Sequence, residues 1–191
     1  GEYIEDDNSY STNANYTVIN KIAAGKTVTL TPPADCSTPT EQPTNLMIST
    51  TSNQIDGSFD KSDADHYLIV YTDGSDLTDI PADGTYYATG DVIGNAKVVD
   101  YSKDTSFCLK NLPASTSYKF YVFAANSLCS KGPSYLNESP LSLAVRTKIV
   151  TPVLSVSDIT HNSAKLSWTG SQYNSEIKFG KVGEEPTIFE A

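Results

Sequence analysis

Residues 117–126, SYKFYVFAAN, set the strongest limit on what this chain folds into. Side chains alternate across an extended strand, so Tyr118, Phe120, Val122 and Ala124 fall on one face while Lys119 and Tyr121 fall on the other. No stretch sustains an apolar period of 3.6 residues, so helix is at most a minor component. Similar short runs recur at TNLMIST (44–50), NQIDGSFD (53–60), HYLIVYT (66–72), NAKVVDY (95–101), TSFCLKNL (105–112) and LSLAVRTK (141–148). Seven strands separated by turn residues predict an antiparallel β-sandwich, with the near-continuous apolar run of HYLIVYT at its centre.

The chain around this module divides by composition. Residues 1–36 contain two short strand patterns, YTVINKI and KTVTLTPP, which read as the remnant of an upstream module. Residues 37–42 read as a proline-rich linker, residues 43–148 as the complete sandwich, and residues 151–191 as an incomplete second copy. In that copy Leu154 and Val156 align with Leu46 and Ile48, and Leu166 and Trp168 with Gly57 and Phe59.

Charge narrows the partners. With 23 acidic against 13 basic residues and a formal charge of -10, neither nucleic acid nor an anionic membrane surface is expected. No apolar run reaches about 18 residues, so no membrane insertion is expected. Three cysteines lack the paired spacing of a zinc site, and no cofactor or metal is expected. The acids at Asp56, Asp60, Asp63 and Asp65 have no glycine at the step a calcium loop requires. His66 and His161 are the only histidines and fall in separate modules, which argues against a Cys/His or Ser/His/Asp nucleophile, and the chain is read as non-enzymatic.

The run LPASTSYKFYVFAAN resembles the signature of the fibronectin type III domain, with Leu112, Pro113, Thr116 and Tyr118 in the positions that lead into the sixth strand. PADGTYYATGDVIGNAKVV, with Pro81, Asp83, Gly84, Tyr87, Gly90, Ile93, Gly94 and Val98, resembles an insertion of the variant found in exported and cell-surface proteins of Bacteroidetes-like bacteria. The resemblance implies an all-β, immunoglobulin-like antiparallel sandwich with an enlarged mid-domain connection and partial flanking β repeats. It places Phe59, Tyr118, Leu112 and, in the second copy, Trp168 in structural cores, with the Tyr118 hydroxyl bonded back to the preceding loop.

With that strand assignment, Cys36, Cys108 and Cys129 fall toward one pole. Cys36 with Cys129 is the preferred disulfide, Cys108 with Cys129 is its rival, and three free thiols are the third alternative. The 73–95 connection has two readings. In one, Tyr86 and Tyr87 beside Asp83 form a ligand surface for a sugar or peptide. In the other, its glycines and aspartates shape turns and Tyr87 joins a satellite core. The expected function is a non-catalytic spacer, presentation or adhesion unit, secreted or on the cell surface. Its expected partners are a protein or a cell-surface glycan, with strand complementation between chains where flanking edges lie open.

Overall fold

The computed structural model describes residues 33–170, 176–179 and 187–190; the strand patterns expected before residue 33 lie outside them. The strands are β1 (Thr44–Thr50), β2 (Gln54–Asp60), β3 (His66–Thr72), β4 (Val92–Ile93), β5 (Ala96–Ser102), β6 (Ser106–Lys110), β7 (Ser117–Asn126), β8 (Ser134–Tyr135) and β9 (Leu141–Arg146). Two hairpins follow, β10 (Val153–Ser157) with β11 (Lys165–Thr169) and β12 (Glu176–Phe179) with β13 (Thr187–Glu190). All seven strands expected in the central module form, and β4 and β8 are short additions.

One sheet has the order β1-β2-β6; the other runs β4-β5-β3-β7-β8, with β9 also paired to β7. All of these pairings are antiparallel. Between the sheets lie Ile55, Phe59, Tyr67, Ile69, Val99, Phe107, Tyr118, Phe120 and Val122, with half-buried Leu112 packed against them. Gly57 is a steric requirement of this core. The Phe107 ring lies over the glycine where a Cβ would stand, and it stacks on Phe120 with centroids 5.1 Å apart.

β3 and β7 are buried on both faces. Leu68, Val70, Tyr121, Phe123 and Ala125 point away from the first core into a second one, completed by Ile93, Ala96, Val98 and Tyr135 and flanked by Leu77, Tyr87 and Tyr101. The side of β7 assigned to Lys119 and Tyr121 is thus also apolar ground. Adjacent Val98 and Val99 alternate into different cores, and a register shift in β5 opposite Ile69 and Val70 returns Tyr101, three residues after Val98, to the second core. The 73–95 connection contributes Leu77, Tyr87 and Ile93 to the second core and lies over it.

The Tyr118 ring is buried, but its hydroxyl makes no hydrogen bond among the described residues, in place of the bond expected to the preceding loop. Thr147 holds that corner instead. Its hydroxyl accepts from Thr116 N–H at 2.9 Å and donates to Pro113 O at 2.7 Å, and Lys148 N–H donates to Thr51 O at 2.9 Å. Trp168 also departs from expectation, being half-exposed rather than in a core. It pairs across from Leu154, which is 58% exposed, on a two-stranded hairpin that has no second sheet packed against it among the described residues.

Residues 37–42, expected to be a linker, are tied along the sandwich. Where β7 changes partner from β9 to β8, Ala124 N–H donates to Gln42 Oε1 at 3.0 Å, and Gln42 Nε2 donates to Leu136 O at 2.6 Å and Glu138 O at 2.9 Å. One carboxamide thus fills a gap in the sheet ladder beside a fully buried residue. Gln42→Ala leaves that buried amide without its acceptor and is expected to cost about 1–3 kcal/mol in chemical denaturation, whereas exposed Glu41→Ala changes stability by less than about 0.5 kcal/mol.

Candidate functional site

The candidate ligand surface is built on turns whose polar groups satisfy one another. Asp73 accepts from Ser75 N–H and Oγ, and Asp76 accepts from Lys119 Nζ at 2.5 Å. Asn95 staples the start of the connection: its Nδ2 donates to Ser75 Oγ and Asp76 O, and its Oδ1 accepts from Thr78 N–H at 2.9 Å. Asp91 Oδ2 accepts from Ala88 N–H at 2.8 Å. Gly84 and Gly90 adopt φ of 76° and 95°, where a side chain would strain the backbone.

The three residues singled out for binding have separate fates. Asp83 Oδ1 accepts from Tyr135 N–H at 2.7 Å, fastening the connection to β8. Tyr87 is half-buried, its hydroxyl accepting from Ala82 N–H at 3.0 Å and its ring 6.1 Å from that of Tyr135. Tyr86 is 58% exposed and lies edge-on to Tyr101. One open ring remains, not the pair a stacking platform needs.

Beneath Tyr86 is an aromatic nest. Tyr101 contacts the rings of Tyr86, Tyr135 and His66, the last stacked at 5.3 Å. Burial raises the pKa of both Tyr101 and Tyr135, and Tyr101 Oη is buried with no hydrogen-bond partner among the described residues. Tyr135 Oη donates to Thr85 O at 2.8 Å. Asn137, within a glycosylation sequon, donates to Pro81 O through Nδ2 and is half-buried, so its amide is committed to the fold. Asn15, in the other sequon, lies outside the described residues.

Sequence reading missed one polar cluster, which folding assembles across 61 residues. His66 Nδ1 lies 2.8 Å from Asp65 Oδ1 and 2.9 Å from Ser127 Oγ. Asp65 also accepts from Ser127 N–H at 2.8 Å and Leu128 N–H at 3.0 Å. Burial works to raise the Asp65 pKa, but the hydrogen bonds from His66, Leu128 and Ser127 outweigh it and hold the carboxyl below its ordinary value. A proton relay needs the carboxylate on one ring nitrogen and the hydroxyl on the other. Both contacts here use Nδ1, so the cluster fastens the 127–128 loop to the start of β3. His161 is exposed in the β10–β11 turn.

The acids weighed for calcium are dispersed among local partners. Asp63 accepts from Thr40 Oγ1, Asp60 from Asn45 Nδ2 and Asp56 from Gln54 Nε2. Among the described residues no group of three or more His, Cys, Asp or Glu side chains is placed to hold a metal ion.

Cys36 and Cys129 form a disulfide with Cα atoms 5.0 Å apart, beside the parallel bridge between Asp35 and Ser130. Cys108 is free and exposed on the outer face of β6, away from that pole. It borders a shallow groove of ≈ 630 Å³ lined by residues including Met47, Ser49, Asp56, Ser58 and Ser106.

No protein-family model matches the chain, and no curated protein sequence matches it. Solved structures do. A two-domain fibronectin type III segment of chicken tenascin superposes with a TM-score of 0.50 at 23% identity, covering 79% of this chain and 77% of that one. The fn3 domain of human collagen α-1(XX) chain gives 0.39 at 21%, covering 60% and 90%. The FN5 domain of Drosophila Lar gives 0.35 at 16%, covering 61% and 97%. The tenascin likeness and the strand order show the fold alone: an all-β, immunoglobulin-like antiparallel sandwich of the fibronectin type III kind.

The Asp56 carboxylate, directly across from Cys108, favours the protonated thiol and raises its pKa. Asp56→Asn is therefore expected to move the pH–rate profile of Cys108 alkylation by iodoacetamide to lower pH, with faster labelling near neutrality.

Proposed function

We propose that this chain is a non-catalytic, extracellular or cell-surface sandwich module that spaces or presents neighbouring modules, as in exported bacterial proteins of multidomain build. The observation that carries the reading is the clamp at both ends of the sandwich. At entry, the disulfide joins the strap before β1 to the loop after β7. At exit, Thr147 and Lys148 bond to the loops at 113–116 and 51. Tension entering at Cys36 passes through a covalent bond to the segment that follows β7, bypassing β1 through β7. A structural disulfide also suits an oxidising setting. Among the described residues no helix is long and apolar enough to cross a membrane.

Exposed Tyr86 favours a second reading, a carbohydrate- or peptide-binding module using the 73–95 connection. The commitment of Asp83 and Tyr87 to packing makes it the weaker of the two.

Single-molecule pulling from the two ends tests the spacer. The disulfide spans a sequence separation of 93 residues. Reduction is expected to lengthen the extension released on unfolding by about 320 Å, at roughly 3.4 Å per residue. Unfolding at forces no higher than an isolated hairpin resists would overturn the load-bearing role. For the second reading, a glycan array is expected to show retention that Tyr86→Ala abolishes; an array blank with and without calcium removes it.

A further inference from the structure

The sandwich manages its sheet edges unevenly. β1 carries a register irregularity between Thr44 and Met47, has Asn45 at φ 55° and lies against β9. β4 and β8 are two residues each; β4 sits between positive-φ Gly90 and Gly94, and the Gln42 strap flanks β8. These are the devices by which edges are kept from pairing. β6 has them only at its C-terminal end, where Lys110 is followed by positive-φ Asn111. Its five residues are regular, contain neither proline nor glycine, and pair among the described residues with β2 alone.

Phe59 N–H donates to Thr105 O at 3.0 Å, so the odd-numbered residues of β6 turn their amides toward β2. Ser106, Cys108 and Lys110 therefore turn theirs outward.

We propose that this edge is a homodimerisation edge, on which β6 of a second copy pairs antiparallel about a two-fold axis at Cys108. The proposal deepens the partner side of the spacer reading and rests on it only for the setting. Self-complementarity chooses the occupant. With Cys108 opposite Cys108, Phe107 faces Leu109 of the other copy on the inner side, and Ser106 faces Lys110 on the outer side. Phe107 is buried at the margin of the core and Leu109 is only half-buried there, so pairing extends an apolar row that now ends in solvent. No like charges are directly opposed. The two Asp56 carboxylates stand three strand spacings apart, about 14 Å, beyond a Debye length at physiological salt. The small side chains Ser106 and Cys108 leave the outer face clear for a continuous six-stranded sheet. Five residues a side bury little area, so the dimer is weak and concentration-dependent.

Cys108 supplies the probe, since the other two cysteines are joined. A nitroxide on Cys108 is expected to show dipolar broadening at high protein concentration, with Cβ atoms about 5 Å apart across the pair, and to sharpen on dilution with unlabelled chain. Sedimentation of unlabelled Cys108→Ser should show the same dimer, because backbone bonds hold it. Ser106→Pro removes only an outward N–H and is expected to weaken association about tenfold or more with the melting temperature unchanged. A sharp spectrum and monomeric sedimentation at the highest attainable concentration overturn the proposal. So does a dimer that Ser106→Pro leaves intact, or a Ser106→Pro chain that loses stability as a monomer, which would mean that its own chain covers the edge. None of these outcomes alters the extension gained on reduction, so failure of the dimer and failure of the spacer are separately visible.

Discussion

Burial of β3 and β7 on both faces is the constraint on which the structure depends. One face of each strand meets the three-stranded sheet through Tyr67, Ile69, Phe120 and Val122. The other carries Leu68, Val70, Tyr121 and Phe123, each removed from water at a gain of about 1.5–3 kcal/mol for a large apolar side chain. A two-layer sandwich leaves that second face bare. Here the 73–95 connection closes it, and this role explains the residues it contains. Leu77, Tyr87 and Ile93 pack downward, Asp73, Asp91 and Asn95 accept from backbone amides of a segment too irregular to satisfy itself, and Asp83 fastens it to the Tyr135 N–H of β8. A segment committed in this way has few groups left to offer a ligand.

The same logic governs the poles. Gln42 fills the break between β8 and β9, Asp65 with His66 ties down residues 127–128, and Thr147 closes the exit corner. Each joins backbone groups that the sheets leave unpaired. The polar clusters that most resemble chemistry, the aspartates of the connection and the Asp65–His66–Ser127 group, are thus the means by which loops are fixed to a scaffold.

The fold was legible because its signal is local. Alternation at period two with turn residues between runs marked seven strands. Trp168 was misread because its position within a repeat specifies which face it occupies but not whether anything covers that face. The Tyr118 hydroxyl was misread for a related reason: a buried ring follows from the strand pattern, whereas the partner of its oxygen depends on the turn, where Thr147 holds the backbone instead.

The sequence by itself determined the architecture, the acidic surface and the presence of an odd cysteine, since these follow from side-chain period, charge count and composition. Only the tertiary structure decided which groups are spent and which are free. The partners of Gln42, Asp65, Asp83 and Cys36 lie 52 to 96 residues away, and no periodicity reports a contact over that distance. Which strand edge stays open is likewise a property of assembled sheets, because β6 and β1 read alike as strands until their neighbours are in place.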